Sequence, residues 1–201
     1  MALGEAEQGG LEEALRRIAL CRDEHAEELD LGGLALESLP DALLEALQQL
    51  CWVKRLYLGL SEAARRKPYF ALYEEDKKSC NALRALPDAI PIALAQLEAI
   101  NCSGTQVSDL APLAGLQNLQ TVDCSGTQVS DLAPLAGLQN LQTVDCSRTQ
   151  VSDLAPLAGL QNLQEIDCSN TQVSDLAPLA GLQNLQTVDC GRTQVSDLAP
   201  L

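Results

Sequence analysis

Aromatic residues make up 2% of this 201-residue chain, and Trp52, Tyr57, Tyr69, Phe70 and Tyr73 all precede residue 100. Large rings normally dominate a core, so the second half must pack on Leu, Val, Ala and Cys. Basic residues are also scarce. Thirteen Lys and Arg stand against 28 Asp and Glu, giving a formal charge of −15. A nucleic-acid partner needs a basic stripe, and an anionic membrane surface needs a polybasic cluster; the balance argues against both. No apolar run reaches the ~18 residues of a membrane helix. The opening MALGEAEQGGLEEALRRIAL has early Glu and no apolar stretch of export-signal length. A cytoplasmic location with reduced thiols is therefore expected for the eight cysteines. Catalytic groups are thin. His25 is the only histidine, and Cys21-x-x-x-His25 reads as ordinary surface of an N-terminal helix. No Gly-rich phosphate loop ends in Lys-Ser or Lys-Thr, and the short basic run Ala64–Pro68 reads as solvated surface. No enzyme activity and no cofactor are expected.

Repetition is what the chain has in abundance. CSGTQVSDLAPLAGLQNLQTVD runs from Cys102 to Asp123 and returns letter for letter from Cys124 to Asp145. Two near copies and a fragment follow, so Cys102, Cys124, Cys146, Cys168 and Cys190 are each 22 residues apart. Within a unit, Val129, Leu132, Leu135, Leu138, Leu141 and Val144 recur every three residues. That is the spacing of a tight return with 3-10 character, in which i and i+3 eclipse. The step drops to two between Val144 and Cys146, which is strand alternation. The strand is thus predicted near Thr121–Ser125 and its equivalents. Ser130-Asp131 can cap the return, Pro134 fits its first turn, and Asn140 can bond the backbone where the chain turns into the next strand. One coil cannot bury its own apolar side, but stacked coils bury a continuous core.

These residues resemble a known family. LQTVDCSGTQV (Leu119–Val129) resembles the leucine-rich repeat signature L-x-x-L-x-L-x-x-N-x-L, with Thr127 in place of the asparagine. The Ser-Asp-Leu-x-Pro-Leu return is similar to that of the 22-residue, internalin-like repeats of bacterial proteins. The resemblance implies an α/β leucine-rich repeat solenoid, right-handed, with parallel strands on the concave face and short 3-10 or α returns on the convex face. It further implies a non-catalytic module or scaffold that binds a protein partner on the concave face. The N-terminal part also resembles the repeat region of Roco-type bacterial signalling proteins. That implies an alternative: the sensor half of a larger protein whose GTPase or other NTPase module lies beyond residue 201.

The expected organisation has three parts. Residues 1–27 hold an N-terminal segment and a helical cap, with Leu11, Ala14, Leu15 and Ile18 on one side. Residues 28–100 hold irregular repeats, beginning with ELDLGGLALESLP (Glu28–Pro40) and including VKRLYLGL (Val53–Leu60). Leu56 and Ile100 are two periods apart, so 61–80 is either a degenerate coil or an insertion. The insertion is preferred, because Asn81 and Leu83 then supply the ladder asparagine and the apolar residue after it. Residues 101–201 are regular 22-residue repeats, the last incomplete. An uncapped end at Leu201 suggests a fragment of a longer protein, or end-to-end self-association.

Two columns could carry chemistry. The repeated cysteines point inward and form a line. A line does not converge on a metal, and in-register thiols do not meet disulfide geometry, so they read as small buried hydrophobes. Asp123, Asp145, Asp167 and Asp189 each precede a cysteine and project from the strand face. They serve either solubility or as a strip for a basic segment or a cation. The copies differ at a few places, nearly all on the strand or its exit. Gly104 and Gly126 become Arg148, Asn170 and Arg192, while Thr121 and Thr143 become Glu165. Drift after duplication explains this, or else a partner does. On the second reading the contacts centre on Thr143, Asp145, Arg148, Glu165, Asp167, Asn170, Asp189 and Arg192.

Overall fold

A computed structural model describes residues 5–59 and 81–201. Each repeat contributes a three-residue strand. These are β1 (Glu28–Asp30), β2 (Arg55–Tyr57), β3 (Ala99–Asn101), β4 (Thr121–Asp123), β5 (Thr143–Asp145), β6 (Glu165–Asp167) and β7 (Thr187–Asp189). They form one parallel sheet in sequential order, open at both ends. Register is one repeat per strand: Val122 lies beside Val144, and Val144 beside Ile166. The chain is an open solenoid of stacked coils, and the three-residue apolar spacing explains its returns. Leu132, Leu135, Leu138 and Leu141 are all 1% exposed or less. Burying each contributes about 1.5–3 kcal/mol, and each can do so only because the coils on either side seal it.

The returns are built locally. Ala111–Leu113, Ala133–Leu135, Ala155–Leu157 and Ala177–Leu179 are single 3-10 turns. Asp109, Asp131, Asp153 and Asp175 each accept the N–H of the alanine two residues on at 2.8 Å. They cap the turn from one position before its N-cap, so the aspartate rather than the neighbouring serine takes this role. The repeated asparagine behaves differently from expectation. Asn140 Nδ2 donates to the Gln117 carbonyl at 2.9 Å, and Asn162 and Asn184 do the same to Gln139 and Gln161. It ties each coil to the coil before it rather than turning the chain into its own strand.

Thr127 and Asn81 show what a ladder position can do. Thr127 Oγ1 donates to the Cys124 carbonyl at 2.6 Å and accepts the Val129 N–H. With one short hydroxyl it closes a turn inside its own coil. Asn81 is longer, and its amide both donates and accepts. It donates to the Leu31 and Leu58 carbonyls and accepts from the Leu34 and Leu36 N–H groups, so it joins two coils while 1% exposed.

The N-terminal coil is sealed by α1 (Glu5–Glu24), which extends past the Leu11–Leu20 stretch on both sides. Ala14, Ile18 and Cys21 are buried, while Leu11 and Leu15 pack at the edge. Gly10 lets the helix approach closely, since a Cβ there would sit 1.9 Å from the Leu34 carbonyl oxygen. Arg17 Nη1 donates to the Asp30 carbonyl at 3.0 Å, occupying part of the β1 edge. After α2 (Asp41–Leu47), β2 pairs directly with β3, Leu56 against Ile100. The segment 61–80, expected to be an insertion or a degenerate coil, lies outside the described residues. α3 (Ile90–Ala93) makes the next return.

At the other end, β7 has one neighbour. Val188 and Cys190 are only partly covered, although Val144 and Cys146 are fully buried. Leu179, Leu182, Leu185, Val188 and Leu201 line a hollow of about 300 Å³ there.

Candidate interaction face

Because a strand alternates, the middle residue of each triplet points into the core and the outer two face away from it. Parallel register stacks the outer residues into columns. One column runs Glu28, Arg55, Ala99, Thr121, Thr143, Glu165, Thr187. The other runs Asp30, Tyr57, Asn101, Asp123, Asp145, Asp167, Asp189. Parallel sheets usually have both faces covered, yet every residue of these two columns is half-buried or exposed.

The eight residues singled out from the sequence all lie on β5–β7 or their exits. Thr143 stacks beside Glu165, and Asp145, Asp167 and Asp189 are consecutive in one column. Arg148, Asn170 and Arg192 follow two residues after the cysteines, where backbone bonds continue the ladder: the Arg148 N–H donates to the Ser169 carbonyl at 2.8 Å. This third column has a backbone constraint invisible as such in the letters. Gly104 and Gly126 have φ of 70° and 64°, and Arg148, Asn170 and Arg192 have φ of 55°, 56° and 59°. The left-handed region costs an L-residue about 1–2 kcal/mol, and glycine and asparagine tolerate it best. The two arginines therefore carry strain that the earlier copies avoid.

The aspartate column has a structural task as well. Asp123 Oδ1 accepts the Ser125 N–H at 3.0 Å and its hydroxyl at 2.7 Å. Asp145, Asp167 and Asp189 accept the N–H two residues on at 2.9, 2.8 and 2.8 Å. Each aspartate thus closes the bend that ends its strand with one carboxylate oxygen. The column is half-buried down to Asp167. Burial, with the neighbouring Asp123 charge adding to it, pushes the Asp145 carboxyl up to about 6. Asn101 heads the run of aspartates and donates Nδ2 to Asp123 Oδ2.

Sequence reasoning missed Tyr57, Arg55 and Glu28 on this face. The alternation in VKRLYLGL was the available signal, since Arg55 and Tyr57 flank the buried Leu56. Arg55 Nε pairs with Glu28 Oε2 at 3.0 Å.

The cysteine column lies on the other side. Cys102, Cys124, Cys146 and Cys168 are fully buried free thiols. Cys102 and Cys124 direct Sγ at the Asp123 and Asp145 carbonyls of the next coil, at 3.5 and 3.4 Å. Burial pushes the Cys102 and Cys168 thiols up to about 12, and Cys124 and Cys146 upward as well. These thiols stay protonated at neutral pH, and thiolate is the reactive form. Among the described residues no three His, Cys, Asp or Glu side chains converge to hold a metal. Cys21 and His25 face different groups: Cys21 Sγ donates to the Ala26 carbonyl at 3.3 Å, while the His25 ring stacks on Trp52 at 4.0 Å. No helix among the described residues is long and apolar enough to cross a membrane.

Known proteins share this architecture. The family described as Leucine Rich repeats (2 copies) matches residues 95–137, 117–159 and 161–201. Among solved structures, an internalin C2 from Listeria monocytogenes is 28% identical with a TM-score of 0.65, over 98% of this chain and 88% of that one. An internalin F from the same organism is 24% identical with a TM-score of 0.63. There the match covers 78% of this chain but only 40% of the internalin. A plant peptide hormone receptor, RGFR1, solved in complex with RGF2, is 15% identical with a TM-score of 0.56, over 79% of this chain and 23% of the receptor. The likeness to the last two concerns the fold alone. A search of curated proteins finds no match.

Proposed function

Because the chain belongs to the leucine-rich repeat family, we propose that it is a protein-binding module, working without a catalytic centre of its own, that holds its partner on the open face of the sheet. The observation that carries this reading is the face itself: seven strands in register, with mostly polar side chains in straight, half-buried or exposed columns. The buried face is nearly uniform from repeat to repeat, whereas Glu165, Arg148, Asn170 and Arg192 alter the open face and its rim. The acidic column and the net charge of −15 favour a basic segment of a protein over a nucleic-acid backbone. The internalin likeness supports the architecture of such a module, and the complexed receptor is a protein of this fold that holds a ligand.

The test is retention of a partner. The wild-type chain and an Arg148→Glu, Asp167→Lys, Arg192→Glu variant, both folded by circular dichroism, are immobilised and exposed to the same cell extract. A protein held by the wild type and lost by the variant supports the open face. Equal retention by both overturns it.

A further inference from the structure

Resting on the reading of the chain as a protein-binding module, we propose that the edge of β7 takes an extended, basic segment of a partner protein as an added parallel strand, with an apolar side chain seated in the hollow behind it.

The inner repeats show which groups that edge offers. The Gln142 carbonyl accepts the N–H groups of Gln164 and Glu165, and the Gln164 carbonyl accepts those of Gln186 and Thr187. The Cys146 and Cys168 N–H groups donate to the Asp167 and Asp189 carbonyls, and the Asn170 N–H donates to the Gly191 carbonyl. On β7 the Gln186 carbonyl and the Cys190 and Arg192 N–H groups hold the same places, and among the described residues no strand lies beyond them. Exposed edges are usually blunted by Lys, Pro or a bulge. β7 has none of these and repeats the Thr-Val-Asp of the inner strands β4 and β5 unchanged. The other outer strand, β1, differs, because α1 lies against it and Arg17 takes the Asp30 carbonyl.

Pairing in the register of the inner strands assigns a task to each residue of the incoming segment. Its first residue lies beside Gln186 and its sixth beside Gly191. The first two N–H groups reach the Gln186 carbonyl, and the fourth and sixth carbonyls accept from Cys190 and Arg192. The third side chain points inward beside Val188, which with Leu179, Leu182, Leu185 and Leu201 lines the hollow of about 300 Å³. That volume is at the lower end of ligand pockets, and its apolar walls call for a residue such as leucine. The fourth side chain projects onto the open face beside Asp189, which is exposed and has Asp167 as its other neighbour. A cation there faces an opposite charge across the pair, whereas an acid is repelled. The net charge of −15 on each copy likewise disfavours a second copy of the chain as the occupant. Main-chain bonds then give affinity, and the alternating apolar and basic side chains give specificity.

The probe is the peptide Gln-Thr-Leu-Lys-Val-Ser, labelled with fluorescein at its C-terminus and read by anisotropy against the whole chain. N-methylation of its Gln and Thr amides removes both bonds to Gln186 and should weaken binding at least about ten-fold. Glu in place of its Lys should weaken binding about five-fold. On the protein, Cys190→Pro deletes an edge N–H that no described group accepts, and should weaken the parent peptide about five-fold. Asp189→Asn keeps the acceptor for the Gly191 N–H and should weaken it several-fold. No saturable binding, equal binding of the methylated peptide, or indifference to both protein variants overturns the added strand. Self-association of the chain in place of peptide binding, seen by light scattering and abolished by Cys190→Pro, overturns it in favour of a second copy. The open-face reading is judged separately. A natural partner held alike by wild type and Cys190→Pro, but lost by the Arg148→Glu, Asp167→Lys, Arg192→Glu variant, keeps the face and overturns the edge.

Discussion

Removing one charge from the middle of the aspartate column should stabilise the protein, and only above a defined pH. Asp145 lies between Asp123 and Asp167 in the parallel register. Burial and the Asp123 charge raise its carboxyl to about 6. For an acid, a raised folded pKa means that the native state binds the proton more tightly than the unfolded chain. The penalty is therefore absent below the unfolded value, ~4, develops between pH 4 and 6, and is complete above. Holding the carboxylate charged across that interval costs the native state roughly 3 kcal/mol. Partial exposure and solvent screening reduce this to about 1–2 kcal/mol. Asp145→Asn removes the charge and keeps the oxygen that accepts the Ser147 N–H. Asn101 already serves in that way, accepting the Ser103 N–H at 3.1 Å. The variant should be more stable than wild type by about 1–2 kcal/mol at pH 7.5, raising Tm by roughly 3–6 °C. At pH 4 the two should unfold together. Urea and thermal unfolding followed by circular dichroism from pH 4 to 8 read both numbers. A variant less stable at pH 7.5, or equally favoured at pH 4, would refute the reasoning.

Other substitutions probe the remaining features. Asn81→Ala strands two carbonyls and two N–H groups inside the N-terminal coils; a loss of at least about 3 kcal/mol is expected, seen as an early transition in urea, and a shift under about 1 kcal/mol would show that the amide is not the tie. Arg192→Gly relieves about 1–2 kcal/mol of left-handed strain and loses about 0.5–1 kcal/mol to unfolded-chain entropy. A net gain of roughly 0.5–1 kcal/mol is expected, and a loss would mean that the side chain makes contacts worth more than its strain. A native-state thiol assay at pH 8 should modify exposed Cys51 and partly covered Cys190, and leave Cys102, Cys124, Cys146 and Cys168 silent until denaturant is added. Rapid labelling of those four without denaturant would contradict their burial.

Much of the fold was legible because the interior is periodic. A three-residue step broken once by a two-residue step specifies a return and a strand, and a constant 22-residue period specifies stacking. Periodicity is read from one side chain at a time, so Val122, Leu135 and Cys124 could be assigned inward without coordinates. The bonds between coils could not, because they depend on which groups the stacking brings together. The Asn140 amide reaches Gln117 across a coil boundary, 23 residues back. Asn81 joins Leu31 to Leu58 across sequence separations of 50 and 23 residues.

The candidate face divides in the same way. The letters showed that the strand exits vary and that an aspartate precedes each cysteine. They did not show that glycine, arginine and asparagine share a left-handed backbone position, because φ is set by the bend that the aspartate closes. Nor did they show that Tyr57 stands in line with Asp123 and Asp145, since that alignment crosses the irregular stretch between β2 and β3. By itself the sequence determined the coil, its period and its inward side, for these are local patterns repeated along the chain. Only the tertiary structure decided the columns, the half-burial that raises the Asp145 pKa, and the charge pattern offered to a partner. Those are properties of neighbouring strands, and strands become neighbours only when the coils stack.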